Sequence, residues 1–266
     1  MSIKKKEKLS NLKSIDVALD IGSSKIACVV GKSDIGKKTK ILGHSLITTK
    51  NVKKGYVVDS KKLEIEIKNI IDNVSKQTEI QISSVKINAN LNESKSLFFK
   101  GSIEIAGEKI DNLHIQSAIN NSKISKIDND FEILHQLIRN FNIDNGTIVA
   151  DPINFFADSL AIDIYQILIK KNYKKSLQNI LSNIDLRIDS IIAAPYASSL
   201  ATLTNDEMEM GTICIDMGSG TTSICMFENN RLMFADSIPV GGSHITNDLV
   251  SRLNTSVDSA ERLKTL

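Results

Sequence analysis

The sequence predicts a mixed α/β protein with two related domains and a small α+β module inserted in the first. Three observations support this fold class. The segment Val17-Ala-Leu-Asp-Ile-Gly-Ser-Ser-Lys25 returns as Ile213-Cys-Ile-Asp-Met-Gly-Ser-Gly-Thr221, 196 positions later (17 to 213). Strand patterns and helical patterns alternate between the two copies. The region 90–163 has a different pattern of predicted elements from the sequence on either side, with short strands around one helix. A repeat of this length indicates a duplicated domain rather than a solenoid.

Composition and charge exclude several classes of protein. The chain has 266 residues, enough for one or two domains. With 33 Lys and Arg against 31 Asp and Glu, it is not a nucleic-acid binder that relies on bulk positive charge. No apolar run reaches the roughly 18 residues of a membrane span, and the basic N-terminus leads into no signal core. We therefore expect a cytoplasmic protein.

The first domain is predicted to begin after a flexible basic tail at 1–14 and to occupy 15–89. Its strands are bounded by turns, and its helix has apolar residues at 63, 67, 70, 71 and 74, which is one helical face. In order, the predicted elements are strands at Asp16–Leu19, Ile26–Val30 and Thr39–Thr49, the helix, and a strand at Ser84–Ala89.

The inserted module is predicted at 90–163, and the first domain then resumes at 164–205. The elements of the inserted module are short strands at Leu97–Phe99, Ile103–Ile105, Ile133–Ile138 and Leu160–Ile169 and a helix at Ile110–Ser122. The resumed domain has a helix at Tyr173–Leu181, a strand at Ser190–Pro195 and a helix at Tyr196–Leu203. Residues 206–266 begin the second domain.

The repeated motif has the chemistry of half a phosphate site. Glycine lets a turn approach an anion closely, and small hydroxyl residues add donors. An aspartate at the end of a strand, Asp20 or Asp216, would not touch phosphate but could hold a hydrated Mg²⁺. Lys25, present in the first copy alone, would be a positive partner for a phosphate. Two such hairpins that face each other would bind a nucleoside triphosphate between two domains.

A simpler interpretation is that each Asp-x-Gly-Ser turn is only a tight turn between two strands. Two copies with the aspartate at the same offset favour phosphate binding. The motif has neither Gly-x-x-x-x-Gly-Lys-Ser/Thr nor a Gly-x-Gly-x-x-Gly that opens a helix, which excludes the P-loop and Rossmann types of site. The three cysteines and four histidines lack metal-ligand spacing, so zinc is not expected.

The two hairpins resemble the phosphate-1 and phosphate-2 loops of the actin-like ATPase superfamily, which has a ribonuclease H-like fold. The segments Pro195–Thr204 and Ser237–Asp248 are similar to the bacterial FtsA family of cell division proteins in particular. Ile133-Leu-His135 resembles the edge of that family's inserted SHS2-like subdomain. In the family's terms, 15–89 with 164–205 is subdomain 1A, 90–163 is 1C, and 206–266 is the start of 2A.

The resemblance implies ATP and Mg²⁺ as cofactors and a set of site residues. Those of the two loops are Asp20, Gly22, Ser23, Ser24 and Lys25, then Asp216, Gly218, Ser219, Gly220, Thr221 and Thr222, with both aspartates bound to Mg²⁺ through water. Gly241 and Gly242 match the following turn near the nucleotide. Glu261 and Lys264 match a helix that touches the nucleoside, although an exposed helical ion pair would explain them equally well.

The resemblance also implies a function. Proteins of this family self-polymerise, link FtsZ filaments to the cytoplasmic face of the inner membrane at the septum, and recruit later divisome proteins. Family members are longer, so we expect an incomplete second lobe without the adenosine loop or the membrane-anchor helix. No carboxylate is singled out as a general base, so ATPase activity would be weak or absent. The alternatives are a small-molecule kinase, a pilus-assembly actin-like ATPase and a truncated fragment that binds no nucleotide.

Overall fold

A computed structural model describes residues 14–33, 39–122, 127–144 and 146–266. The expected tail at 1–14 therefore lies outside the described residues, apart from Ser14, which begins the first strand. Residues 34–38 of the turn expected at 31–40 lie outside them as well, whereas the second strand continues to Ser33.

The described residues form fourteen strands and seven helices. The strands are β1 (Ser14–Ile21), β2 (Lys25–Ser33), β3 (Lys40–Thr48), β4 (Val52–Lys53), β5 (Tyr56–Val57), β6 (Ser84–Ala89), β7 (Lys95–Glu104), β8 (Phe131–Ile143), β9 (Thr147–Val149), β10 (Ser159–Lys170), β11 (Arg187–Ala193), β12 (Thr212–Met217), β13 (Thr222–Glu228) and β14 (Arg231–Ile238). The helices are α1 (Ser60–Thr78), α2 (Asn112–Asn120), α3 (Lys171–Ser182), α4 (Ala194–Thr202), α5 (Asn205–Met210), α6 (Gly242–Leu253) and α7 (Val257–Lys264).

The first sheet has the order β11-β6-β1-β2-β3. Strands β1, β2 and β3 are antiparallel neighbours, whereas β6 runs parallel to both β1 and β11. Helix α1 begins after Asp59, whose carboxylate accepts a hydrogen bond from the Lys62 amide at 3.0 Å. Its apolar face packs on the sheet through the predicted positions Leu63, Ile67, Ile70, Ile71 and Val74. Because β1, β6 and β11 are parallel, their carboxyl ends lie at one edge of the sheet. The turn after β1 therefore faces the start of α4, which follows β11.

The insert is an antiparallel sheet with the order β7-β10-β8-β9, and α2 packs against it. The expectation of two short strands at 97–99 and 103–105 was wrong, because β7 is continuous from Lys95 to Glu104. Gly101 does not break the strand. A Cβ there would lie 1.9 Å from the Ala118 carbonyl oxygen, so this glycine lets α2 lie directly on β7. Strand β10 pairs with β7 and β8 along its length. It runs without interruption across the predicted boundary between the insert, which ends at 163, and the first domain, which resumes at 164.

The third sheet, β12-β13-β14, packs one face against α4 and the insert. Tyr165 of β10 joins the insert to the third sheet. Its hydroxyl donates to the Ala235 carbonyl at 3.1 Å and accepts from the Ala235 amide at 2.9 Å. The short helix α5 had not been predicted. Its signal was the capping box in which Thr204 and Glu207 bond each other's backbone amides, at 3.3 and 2.7 Å.

Candidate functional site

The two repeated turns have the same local geometry. In the first, the Gly22 amide donates to the Lys25 carbonyl at 3.0 Å. In the second, the Gly218 amide donates to the Thr221 carbonyl at 2.9 Å. These pairs are 196 positions apart (22 to 218 and 25 to 221), so the repeat seen in the sequence is also a repeat of backbone structure.

Both turns line one cavity of about 700 Å³. It lies between the first and third sheets and is bordered on one side by α4. The predicted site residues that line it are Asp20, Gly22, Ser23, Ser24 and Lys25 of the first turn and Asp216, Gly218, Ser219, Gly220 and Thr221 of the second. The structure therefore brings together two segments that are far apart in the chain.

The turns touch at Gly220, which is buried. A Cβ on this residue would lie 2.6 Å from the Ser23 Oγ and 2.9 Å from the Lys54 amide nitrogen. The Ser23 Oγ in turn accepts a hydrogen bond from the Gly55 amide at 3.0 Å. The β4–β5 turn is therefore the third component of this junction.

The backbone amides of Ser23, Ser24, Ser219 and Gly220 have no partner among the described residues. An amide without a partner in a glycine-containing turn is a ready donor to an anion. Because both turns line the same cavity, these donors belong to one site.

The charged side chains of the cavity differ in how they are held. The Asp20 carboxylate accepts a hydrogen bond of 2.7 Å from the Asn88 amide group. Asp216 is exposed, and Lys25 forms no ion pair with any described residue. Lys86 is held by Asp16, with 2.7 Å between Nζ and Oδ1, and its hydrogen bond lowers the pKa of the Asp16 carboxyl.

Five predicted site residues do not line the cavity. Thr222 directs its hydroxyl to the Val240 carbonyl at 2.7 Å. Gly241 and Gly242 lie behind the second turn, where the Gly242 amide donates to the Gly218 carbonyl at 2.9 Å. A Cβ on Gly241 would lie 2.4 Å from the same carbonyl oxygen, so only glycine fits this approach.

Glu261 and Lys264, the other two, form an ion pair of 2.6 Å on α7. Both also bond Thr246 of α6, at 2.6 Å from Glu261 and 3.0 Å from Lys264. The hydrogen bond from Lys264, followed by that from Thr246, lowers the pKa of the Glu261 carboxyl. In this structure the pair joins α7 to the start of α6, next to the second turn.

Several residues of the cavity were missed from the sequence. Asn90 donates to the Gly55 carbonyl at 2.6 Å and to the Tyr173 hydroxyl at 3.2 Å, and all three line the cavity. Asn88 is the penultimate residue of the parallel strand β6 and Asn90 directly follows that strand. The carboxyl end of a parallel strand is the usual location of ligand-binding residues in such sheets. That position was the available signal. The small side chains of α4, Ala194, Ala197 and Ser198, give no comparable signal.

None of the helices formed by the described residues has the length and apolar composition needed to cross a membrane.

Two family models match separate parts of the chain. The model for cell division protein FtsA matches residues 213–266, and the model for the SHS2 domain inserted in FtsA matches residues 92–168. Among curated proteins, the cell division protein FtsA of Agrobacterium fabrum is 31% identical over 256 residues, which cover 92% of this chain and 58% of that protein. The FtsA of Pseudomonas aeruginosa is 27% identical and is covered to 60%. The chain thus spans about three-fifths of the length of these relatives.

Solved structures show the same fold at low sequence identity. A chain of the PilM-PilN type IV pilus biogenesis complex matches with a TM-score of 0.64 at 12% identity, over 94% of this chain and 69% of its own length. The ethanolamine utilization protein EutJ from Carboxydothermus hydrogenoformans gives 0.54 at 16% identity, over 95% and 62%. The predicted actin-like ATPase fold is confirmed. The two family models and the curated relatives show the predicted resemblance to the FtsA family, which extends over 92% of this chain in the Agrobacterium fabrum protein.

Proposed function

We propose that this chain is part of an FtsA-type cell division protein and that it binds ATP with Mg²⁺ in the cavity between the two turns. One observation carries the nucleotide proposal. Two aspartate-containing turns, 196 residues apart, line the same cavity of about 700 Å³. A tight turn that served only to connect two strands would not need a second copy opposite it.

The phosphates would bind the backbone of the turns. The free amides of Ser23, Ser24, Ser219 and Gly220 are the donors, and Lys25 adds a positive charge. Because Gly220 leaves no room for a side chain at the junction, the two sets of amides stay close together.

The charge of the cavity supports a role for a divalent cation. Asp20 and Asp216 contribute two negative charges, whereas Lys25 is its one cation without a described partner, since Lys86 is paired with Asp16. A triphosphate next to two carboxylates would be repelled. When bound, Mg²⁺ would neutralise phosphate oxygens, with its waters bonded to Asp20 and Asp216. Asn88 fixes one oxygen of Asp20 at 2.7 Å and so orients the carboxylate.

The cellular role follows from the family. Like the proteins of that family, this protein would connect FtsZ filaments to the cytoplasmic face of the inner membrane at the septum, recruit divisome proteins and self-polymerise. Because the chain spans about three-fifths of its relatives, these partners belong to the proposal. Hydrolysis would be slow or absent, as the sequence singles out no carboxylate to activate water.

Calorimetric titration with ATP, with and without Mg²⁺, tests the nucleotide site. We expect Mg²⁺-dependent binding, and Asp216→Ala should weaken it by about tenfold or more because a charged partner of the hydrated cation is lost. Asp236→Ala is the matched control, since Asp236 lies on the same sheet but does not line the cavity. Equal affinities of wild type and Asp216→Ala would refute the assignment.

Co-sedimentation tests the cellular role. The chain should pellet with FtsZ filaments and stay in the supernatant without them. A coupled assay with sugars as phosphate acceptors tests the kinase alternative, and turnover there would overturn the FtsA-type function.

A further inference from the structure

The β4–β5 turn, Lys54-Gly55, contacts both of the repeated turns. Its two residues have positive φ, 52° at Lys54 and 77° at Gly55, as expected of a two-residue hairpin turn. Gly55 lines the cavity, and its amide donates to the Ser23 Oγ at 3.0 Å. On the other side, Lys54 is the backbone that leaves no room for a Cβ on Gly220. The position of this short turn therefore affects the first turn and the second together.

Two asparagines hold the β4–β5 turn from the side of the insert. The side-chain amide of Asn92 donates to the Lys54 carbonyl at 2.6 Å, and that of Asn90 donates to the Gly55 carbonyl at 2.6 Å. A Cβ on Gly55 would lie 2.4 Å from the Asn90 Nδ2 and 2.9 Å from the Asn92 Nδ2, so both asparagines pack directly against this residue. Lysine rarely adopts a positive φ, and the hydrogen bonds to both carbonyls stabilise the turn in this conformation.

Both asparagines lie where the chain enters the insert. The Asn92 backbone amide donates to the Asn90 Oδ1 at 3.2 Å, and Asn90 also donates to the Tyr173 hydroxyl at 3.2 Å. Lys170, the last residue of β10, forms an ion pair of 2.6 Å with Glu93. These five residues, where the chain enters and leaves the insert, are here called the root of the insert. Because they are bonded to one another, a displacement of the root would move both donors that hold the β4–β5 turn.

The chemistry of Asn92 indicates that its donor is needed. The Oδ1 atom of this side chain is buried and has no hydrogen-bond partner among the described residues. A buried polar atom without a partner destabilises a protein, so a side chain that only filled space here would be apolar. The hydrogen bond from Asn92 to the Lys54 carbonyl is the contribution that an apolar side chain could not make.

We infer that Asn90 and Asn92 are positioning residues of the phosphate site, because they hold the β4–β5 turn and this turn holds Ser23 and fits against Gly220. The inference rests on the proposed nucleotide binding and adds that the affinity for phosphates depends on the root of the insert. Ser23 and Gly220 each carry one of the free amides, so a shift of the β4–β5 turn changes the distance between donors of the two turns. Such coupling is reciprocal, and a bound triphosphate would stabilise the root.

Calorimetric titration of the full chain with Mg²⁺-ATP and with Mg²⁺-tripolyphosphate, which has the phosphates without the nucleoside, tests the inference. Asn92→Ala should weaken binding of both by about three- to tenfold, because one hydrogen bond that orders the donors is lost. Asn92→Asp keeps the shape of the side chain but cannot donate, and it should weaken binding at least as much. Asn183→Ala is the matched control and should leave both affinities unchanged, since Asn183 donates to Glu64 at 2.8 Å and does not line the cavity.

A double-mutant cycle distinguishes positioning from a general loss of stability. Ser23→Ala removes the Oγ that accepts the Gly55 amide. If Asn92 acts through the β4–β5 turn, adding Asn92→Ala to Ser23→Ala should weaken binding by less than about twofold more. Added to Asn88→Ala, which acts on Asp20, Asn92→Ala should keep its full effect. In the nucleotide-free protein, Asn92→Ala should also speed hydrogen exchange of the Gly55 amide by about tenfold.

The results that would overturn the inference differ from those that would overturn the proposed function. If the wild type binds neither Mg²⁺-ATP nor Mg²⁺-tripolyphosphate, the nucleotide site is refuted and this inference with it. If the wild type binds both and the two Asn92 variants bind them equally well, the inference alone is refuted. It is also refuted if the effects of Asn92→Ala and Ser23→Ala multiply in the double variant, because the two side chains would then act independently.

Discussion

Replacing Gly220 with alanine tests the contact between the two turns. The new Cβ would lie 2.6 and 2.8 Å from the side chain of Ser23 and 2.9 Å from the Lys54 amide nitrogen. Real Cβ atoms essentially never approach so closely. Ser23 is not free to rotate away at no cost, because its Oγ accepts the Gly55 amide at 3.0 Å. Either the turns separate or the junction remains strained.

The size of the effect follows from these contacts. Overpacking a close-packed site costs about 1–3 kcal/mol. If the junction remains strained, the melting temperature should fall by about 2–4 °C for each kcal/mol in a chain of this size. If the turns separate, that strain appears as lost affinity for Mg²⁺-ATP, at tenfold for about 1.4 kcal/mol. Strain that does not lower the melting temperature therefore lowers the affinity for Mg²⁺-ATP, so at least one of these two changes must be measurable.

Differential scanning fluorimetry and calorimetric titration of the same protein measure both losses. Gly242→Ala is the control. Its Cβ would meet nothing closer than 3.6 Å, although the residue also contacts the second turn. Adding Ser23→Gly should restore part of the loss, because it removes two of the three short contacts. Wild-type melting together with wild-type affinity in Gly220→Ala would refute the reasoning.

Three further variants or conditions test other parts of the structure. Asn88→Ala removes the 2.7 Å hydrogen bond to Asp20 and should weaken Mg²⁺-ATP binding by about three- to tenfold in the same titration, whereas unchanged binding would show that the bond orients nothing. Burial raises the pKa of the Cys28 and Cys225 thiols to about 11 from 9.0. The thiols of the unfolded chain lose their protons at a lower pH than those of the folded protein. The urea midpoint should therefore decrease as the pH rises from 9 to 11, and a midpoint that stays constant over this range would contradict the reasoning. Arg231→Met leaves two backbone carbonyls of the insert without their donor and should lower stability by about 1–3 kcal/mol in urea unfolding, with an unchanged midpoint as the contrary result.

The sequence predicted the parts of the fold in which local pattern and tertiary structure agree. Helix α1 has its apolar residues at helical spacing, and all five of them are buried. The two turns were located because each combines a β-branched strand, an aspartate and a glycine. Gly22 and Gly218 then make the same backbone hydrogen bond, so the duplicated sequence was a reliable guide to duplicated structure.

The errors arose where long-range contacts decide the local structure. The two short strands predicted at 97–99 and 103–105 are one strand, and Gly101 between them is the place where α2 approaches β7. Asn90 and Tyr173 reach the cavity from elements separated by 83 positions, and their hydrogen bond to each other has no local signal. Glu261 and Lys264 have the spacing expected of a helical pair, yet their spacing could not show that both would bond Thr246.

A histidine of the insert forms a hydrogen bond at the wall of the cavity. Nε2 of His135, on β8, accepts a hydrogen bond of 2.9 Å from the amide of Ala193, the N-cap residue directly before α4. Ala193 has no side-chain cap to offer, so the contact supplies an acceptor at the helix N-terminus. Burial lowers the pKa of His135, which favours the neutral ring that can accept this bond. Because Ala197 and Ser198 of the same helix line the cavity, this bond connects the insert to the helix that forms the cavity wall.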